Sequence, residues 1–282
     1  MTVAAPELKR ALERGGKANP FWIVGPCVLE DEKTVFAIAE KLVQVRDRLH
    51  VPVVFKASFD KANRTSIKSP RGPGLKEGLR RLAAIRKDFG LPILTDVHET
   101  SQVAEVAQVV DILQVPAFLS RQTDLIQEAA KSGRAVNVKK GQFLAPDNVK
   151  ALLEKLQSGG SSAHWITERG VTFGYHRLVV DFSGFNEMES AGADLIFDCT
   201  HSVQLPGSGE VTGGLRSAIP SLARAAAAVG VKGFFAETHP QPEKAWSDAA
   251  NAWPLDRLEA LISDIQKVAS SAHGLTALGG EA

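Results

Sequence analysis

Eight apolar runs recur along this chain of 282 residues, and each ends in a polar residue able to do chemistry. Phe21-Trp-Ile-Val-Gly-Pro runs into Cys27, Val53-Val-Phe into Lys56, and Pro92-Ile-Leu-Thr into Asp96 and His98. Ile112-Leu leads to Gln114, Ala135-Val-Asn-Val to Lys139 and Lys140, and His164-Trp-Ile-Thr to Glu168 and Arg169. Leu195-Ile-Phe gives Asp198 and then His201, and Gly233-Phe-Phe-Ala gives Glu237. Continuous apolar runs of this length suit parallel strands covered on both faces. Chemistry gathered at the C-terminal ends of eight such strands predicts an α/β fold of one domain, a (β/α)₈ TIM barrel.

Between the runs the apolar period becomes helical. Val35, Ile38, Leu42, Val45 and Leu49 form one stripe, and Leu75, Leu79, Leu82, Ile85 and Phe89 a second. Leu255, Leu258, Ile262 and Ile265 form the last. One-sided stripes on charged segments belong to helices packed on the outside of a sheet. No GxGxxG turn follows the first strand, which favours a closed barrel over an open dinucleotide-binding sheet. The expected organisation is an N-terminal extension or cap over residues 1–20, the barrel over 21–272, and a frayed Gly/Ala-rich tail over 273–282. The Gly-rich loop from Gln204 to Arg216 is expected to be mobile and to close over the site.

A hydrophobic content of 44% supports a substantial core. No apolar run approaches the ~20 residues of a membrane span, and no signal-peptide core precedes the first strand, so a cytoplasmic protein is expected. A net charge of +1 argues against a nucleic-acid surface. Basic residues are instead local. Lys56, Lys61 and Arg64, with Asn63 and Ser66 as hydrogen-bonding neighbours, follow the second strand, and Arg71, Lys139, Lys140 and Arg169 fall at other strand ends. Forked guanidinium donors and compact ammonium charges suit phosphorylated small molecules.

A second constellation is Cys27, His201, Glu237 and Asp248. No HExxH or paired CxxC spacing accompanies it, and each residue has an ordinary alternative: a small buried thiol, a loop histidine, carboxylates neutralised by Lys or Arg. Topology favours a metal site, since the first, seventh and eighth strands become neighbours when a barrel closes. Thiolate, imidazole and carboxylates together suit Zn²⁺, Fe²⁺ or Mn²⁺. Cys199 reads as packing.

The segments Gly25-Pro-Cys27, Lys56-Ala-Ser-Phe-Asp-Lys-Ala-Asn-Arg, Thr95-Asp-Val-His-Glu, Gln114-Val-Pro-Ala-Phe-Leu, Arg121-Gln-Thr-Asp, Asn137-Val-Lys-Lys-Gly-Gln, Asp198-Cys-Thr-His-Ser and Glu237-Thr-His-Pro resemble the 3-deoxy-D-manno-octulosonate-8-phosphate synthase family. The resemblance runs in order from about residue 21 to residue 265. It implies condensation of phosphoenolpyruvate with arabinose 5-phosphate and water, with release of phosphate, in lipopolysaccharide synthesis. It further implies that Lys139 and Arg169 hold phosphoenolpyruvate with the main chain near Ala117, and that Asn63 and Arg64 bind the sugar phosphate. Lys61, His201 and Asp248 would stand at the catalytic centre, while Lys56, Ser66, Asp96, Gln114, Asn137 and Asp198 would line the pocket. Arg121 would reach a neighbouring subunit's sugar phosphate, which implies a homo-oligomer, by resemblance a tetramer. Metal-independent members carry Asn where this chain has Cys27, so the chain resembles the metal-dependent branch, with Cys27, His201, Glu237 and Asp248 at its ligand positions. Three other readings stay open at this point. One is the sister synthase that uses erythrose 4-phosphate. Another is a Schiff-base aldolase acting through Lys56 or Lys139, and the last is a barrel that only binds sugar phosphates.

Overall fold

The computed structural model describes residues 3–64, 66–171, 176–206 and 213–273. It opens with a short helix, α1 (Ala5–Leu12), followed by a 3₁₀ turn over Glu13–Ala18. The barrel strands are β1 (Phe21–Gly25), β2 (Val53–Lys56), β3 (Ile93–Asp96), β4 (Ile112–Val115), β5 (Ala135–Lys139), β6 (His164–Glu168), β7 (Leu195–Asp198) and β8 (Gly233–His239). All neighbouring strands pair parallel in sequence order, and β8 closes on β1, with Phe21 opposite Gly233 and Gly25 opposite Glu237. One helix follows each strand: α2 (Glu32–Leu49), α3 (Leu75–Phe89), α4 (Thr100–Val109), α5 (Thr123–Lys131), α6 (Val149–Ser158), α7 (Gly184–Ser190), α8 (Ile219–Val229) and α9 (Leu258–His273). The molecule is therefore the closed (β/α)₈ barrel that the eight runs predict.

The strands read as unbroken apolar runs, yet the pleat still sorts their side chains by twos. Trp22, Val24, Val53, Phe55, Leu113, Val136, Val138, Phe197 and Phe234 join the outer core beneath the helices. The predicted stripe of α2 meets them there through Val35, Ile38, Leu42 and Val45, all buried. Each such apolar side chain contributes about 1.5–3 kcal/mol by leaving water. The alternate residues, Phe21, Ile23, Val54, Leu94, Ile112, Ala135, Trp165, Ile196 and Phe235, form a separate inner cluster, which Ala5, Leu8 and Leu12 of α1 cover. The Trp165 indole N–H donates to Glu13 Oε1 at 2.8 Å, tying the 3₁₀ turn to this inner layer.

Local signals set the ends of the elements. Asp31 caps α2 by accepting the Thr34 N–H at 2.9 Å, and α3 stops at Gly90, whose left-handed φ of 62° suits glycine. A Cβ on Gly25 would stand 1.9 Å from the Lys56 carbonyl oxygen. Glycine is thus what lets β1 and β2 approach closely just below the mouth.

No helix among the described residues is long and apolar enough to cross a membrane. The loop expected to be mobile is paired at its two flanks, where Gln204–Leu205 and Gly213–Gly214 form an antiparallel ribbon. Its centre, residues 207–212, lies outside the described residues, as does the tail beyond His273.

Candidate active site and metal centre

Further along the same inward-facing phase, in steps of two residues, the side chains turn from apolar to polar. Lys56, Asp96, Gln114, Lys139, Arg169, Asp198 and Glu237 stand above the inner cluster at the C-terminal ends of the strands and line a cavity of about 770 Å³. Lys61, Asn63 and Arg64 of the loop after β2 complete one wall, and Ala117, His201 and Asp248 others. Four of the expected residues are not on its surface. Cys27 is buried behind it. Asn137 is fully buried one layer down, donating to Gln114 Oε1 at 3.1 Å and accepting from Thr167 Oγ1 at 2.6 Å, so it orients Gln114. Ser66 bonds within its own loop, accepting the Lys68 N–H at 3.3 Å. Arg121 is exposed, and its carbonyl accepts from Lys155.

Two basic residues expected at the mouth are engaged elsewhere. Lys140 is buried against Glu168 at 3.0 Å and donates to the Leu144 carbonyl. Adjacent residues on a strand face opposite ways, so Lys139 points inward and Lys140 outward. Arg71 pairs with Asp60 at 2.8 Å.

Burial organises the charges of the cavity. Lys139 forms an ion pair with Asp198 and lies 3.1 Å above the Phe235 ring centre. Burial pulls its ammonium down to about 8, against the favourable pull of Asp198. Asp198 also meets His201 Nδ1 at 2.7 Å and accepts the Thr200 and His201 N–H groups at 3.0 and 2.9 Å. Burial would raise the Asp198 carboxyl, but His201 and Lys139 hold it well below the usual range. Arg169 donates to Gln204, while its Nη1 is buried with no hydrogen-bond partner among the described residues. A buried guanidinium with an open donor is a prepared anion site. Lys61 makes no hydrogen bond or ion pair among the described side chains; burial opposes its charge, yet Cys27, Glu237, Asp96 and Asp248 raise it overall.

Cys27, Glu237 and Asp248 bring their ligand atoms within 4.8 Å of one another. The Cys27 thiol donates to Asp248 Oδ2 at 3.1 Å, and burial, then Glu237, pushes that thiol well up. Glu237 is fully buried and its Oε2 has no partner among the described residues, while Oε1 accepts from Lys56 at 3.0 Å. His201 is not within that three-residue cluster, although its Nε2 is 3.6 Å from Glu237 Oε1. Asp198 on Nδ1 holds the ring with Nε2 turned toward Glu237, the way a carboxylate orients the histidines of metal sites. An orphaned carboxylate oxygen beside sulfur and imidazole donors fits a divalent ion, which would take the place of the thiol proton. Asp248 has φ of 52°, in the left-handed region rare for non-glycine residues.

Several contributors lie outside the set of predicted site residues. Gln204 links Arg169 to Asp248, donating to Asp248 Oδ1 at 2.7 Å. Phe235 is the floor under both Lys139 and Lys56. His98, Gln142 and Trp246 also line the cavity. Inward phase on β8 alone would have found Phe235; the loop residues depend on tertiary packing.

A sequence model of the DAHP synthetase I family matches residues 5–273. The curated 2-dehydro-3-deoxyphosphooctonate aldolase of Stenotrophomonas maltophilia (strain K279a) is 51% identical over 259 residues, covering 91% of this chain and 94% of its own. Proteins of the same name from Xanthomonas axonopodis pv. citri (strain 306) and Xanthomonas campestris pv. campestris (strain B100) are each 52% identical over 249 residues, covering 88% of this chain and 90% of theirs.

Proposed function

The chain belongs to the DAHP synthetase I family, and from that premise we propose that it acts as a 2-dehydro-3-deoxyphosphooctonate aldolase. It joins phosphoenolpyruvate to arabinose 5-phosphate and water, releasing phosphate. The family description names the sister reaction, but relatives at 51–52% identity over about nine-tenths of the chain carry the octonate name. The observation that carries the reading is one cavity lined by two cationic groups, Lys139 with Arg169 at the ends of β5 and β6 and Lys61 with Arg64 after β2, together with Glu237 and Asp248 of the Cys27 cluster.

In this reading Lys139 and the open Nη1 of Arg169 hold the phosphate and carboxylate of phosphoenolpyruvate above the Phe235 floor. Asn63 and Arg64 take the sugar phosphate, and Lys61, whose charge is favoured by its acidic surroundings, donates toward the sugar aldehyde. C3 of phosphoenolpyruvate attacks the aldehyde carbon, the new alkoxide takes a proton, water adds at C2, and phosphate leaves with its bridging oxygen. Fixed cations offset the repulsion between two anions, so much of the rate comes from holding them together. Cys27, His201, Glu237 and Asp248 would hold a divalent ion (Zn²⁺, Fe²⁺ or Mn²⁺), which when bound supplies Lewis-acid polarisation. We further infer a cytoplasmic homotetramer in which exposed Arg121 serves the neighbouring site.

The direct test is phosphate release on mixing phosphoenolpyruvate with each aldose phosphate. Arabinose 5-phosphate should exceed erythrose 4-phosphate in kcat/KM; the reverse order would assign the chain to the sister reaction. A second expectation concerns pH. Lys139 is cationic below its depressed value of about 8 and loses its charge above it. Since kcat/KM reports groups of the free enzyme, the value for phosphoenolpyruvate should fall above about pH 8. Lys139→Arg keeps its charge past ~12 and should remove that descending limb. A wild-type profile still flat near about pH 9.5 would contradict the role given to Lys139.

A further inference from the structure

Glu30 neither lines the cavity nor belongs to the ligand cluster, yet separate parts of the mouth meet on it. It lies in the loop after β1, just beyond Cys27, and is 4% exposed. Its Oε1 accepts the Trp246 backbone N–H at 2.9 Å, and its Oε2 is 3.2 Å from His239 Nε2, at the end of the strand that carries Glu237. The Glu30 carbonyl accepts from Arg81 of α3 at 2.6 Å, so the residue is fixed from its own side as well. His239 has its Nδ1 2.7 Å from the Gln241 carbonyl, which settles the ring's orientation.

The Trp246 peptide held in this way reaches two functional groups. Its carbonyl accepts from Arg64 Nη2 at 2.9 Å, and the next residues in the chain are Ser247 and Asp248. Asp248 takes the left-handed backbone conformation, which persists only where surrounding contacts impose it. Arg216 donates to the Ala249 carbonyl on the far side of Asp248; Glu30 is the anchor on the near side. We propose that Glu30 is a positioning residue, which by holding the Trp246 amide sets both the sugar-phosphate arm Arg64 and the candidate ligand Asp248. The proposal rests on the aldolase reading for its substrates, though not for its metal measurement.

The test uses the full chain and two substitutions. Glu30→Gln keeps the shape and an acceptor oxygen but gives up the charge. It should raise KM for arabinose 5-phosphate and weaken Zn²⁺ binding, measured by chelator competition without substrates, each by about three- to tenfold. KM for phosphoenolpyruvate, whose partners lie on the opposite wall, should stay within about twofold. Glu30→Leu removes the acceptor, and both losses should exceed about tenfold. Should the Leu variant not fold, the near-isosteric Gln variant decides alone. Wild-type sugar KM and metal affinity in Glu30→Gln would overturn the proposal, and so would an equal rise in both KM values. Absence of phosphate release by the wild-type protein would instead count against the aldolase reading, leaving the metal competition to judge Glu30.

Discussion

Stripping divalent metal from the purified protein should lower phosphate release by about two to three orders of magnitude, the scale of several kcal/mol of lost charge stabilisation. Adding back Zn²⁺, Fe²⁺ or Mn²⁺ should restore it. The expectation rests on a fully buried Glu237 with one oxygen unpartnered among the described residues, and on a Cys27 thiol and an Asp248 carboxylate converging on it. Full turnover in protein shown to be metal-free would remove the need for the site. Cys27→Asn refines the test. An amide is a poor ligand for a borderline ion but can hydrogen-bond to Asp248 where the thiol now does. If the cluster chiefly organises the mouth, that variant should keep a slower, chelator-resistant turnover. A correctly folded Cys27→Asn protein without phosphate release, whatever metal is added, would mean the ion does more than organise.

Lys56→Met should have the largest effect on stability. Its ammonium, 2% exposed, is the ion-pair partner of the fully buried Glu237 and also donates to the Cys27 carbonyl at 2.8 Å. Burial works against the Lys56 charge, but Glu237 and Cys27 raise it overall. Removing one side of a buried pair typically costs ~3–5 kcal/mol because the other charge is left uncompensated. For a chain of this size that corresponds to a fall in Tm of roughly 10 °C. The fall should be largest in metal-free protein and smaller with saturating divalent ion, which binds only the folded state. An unchanged Tm in the metal-free variant would mean that Glu237 finds its compensation elsewhere.

The barrel was legible because its signal is carried by whole segments: runs such as Phe21–Val24 and stripes such as that of α2 depend on burial, which sequence records directly. The site was legible where chemistry sits at a strand end. Lys56, Asp96, Gln114, Lys139 and Glu237 all face the cavity. Lys140 shows where proximity in sequence misleads, since pleat phase, not residue type, turned it toward Glu168. Arg71 belongs by sequence with the basic residues of the mouth, but Asp60 on the same loop engages it. Gln204 and Glu30 were beyond reach for another reason. Their partners lie 44 and 216 residues away, and an ordinary Gln or Glu carries no local mark of such a contact.

The closure of β8 onto β1 has a consequence for how copies of this chain can meet. An open sheet ends in two strands whose free N–H and C=O groups template pairing with any other edge. The ring of β1–β8 has no such ends, because every barrel strand is bonded on both sides. Main-chain pairing through the barrel is therefore closed off as a route to assembly or aggregation. Contact between copies then falls to surfaces outside the ring, where Phe118 and Phe143, each 56% exposed, and Arg121 stand. Recognition between copies is thereby separated from the sheet that holds the fold, and the two can change independently.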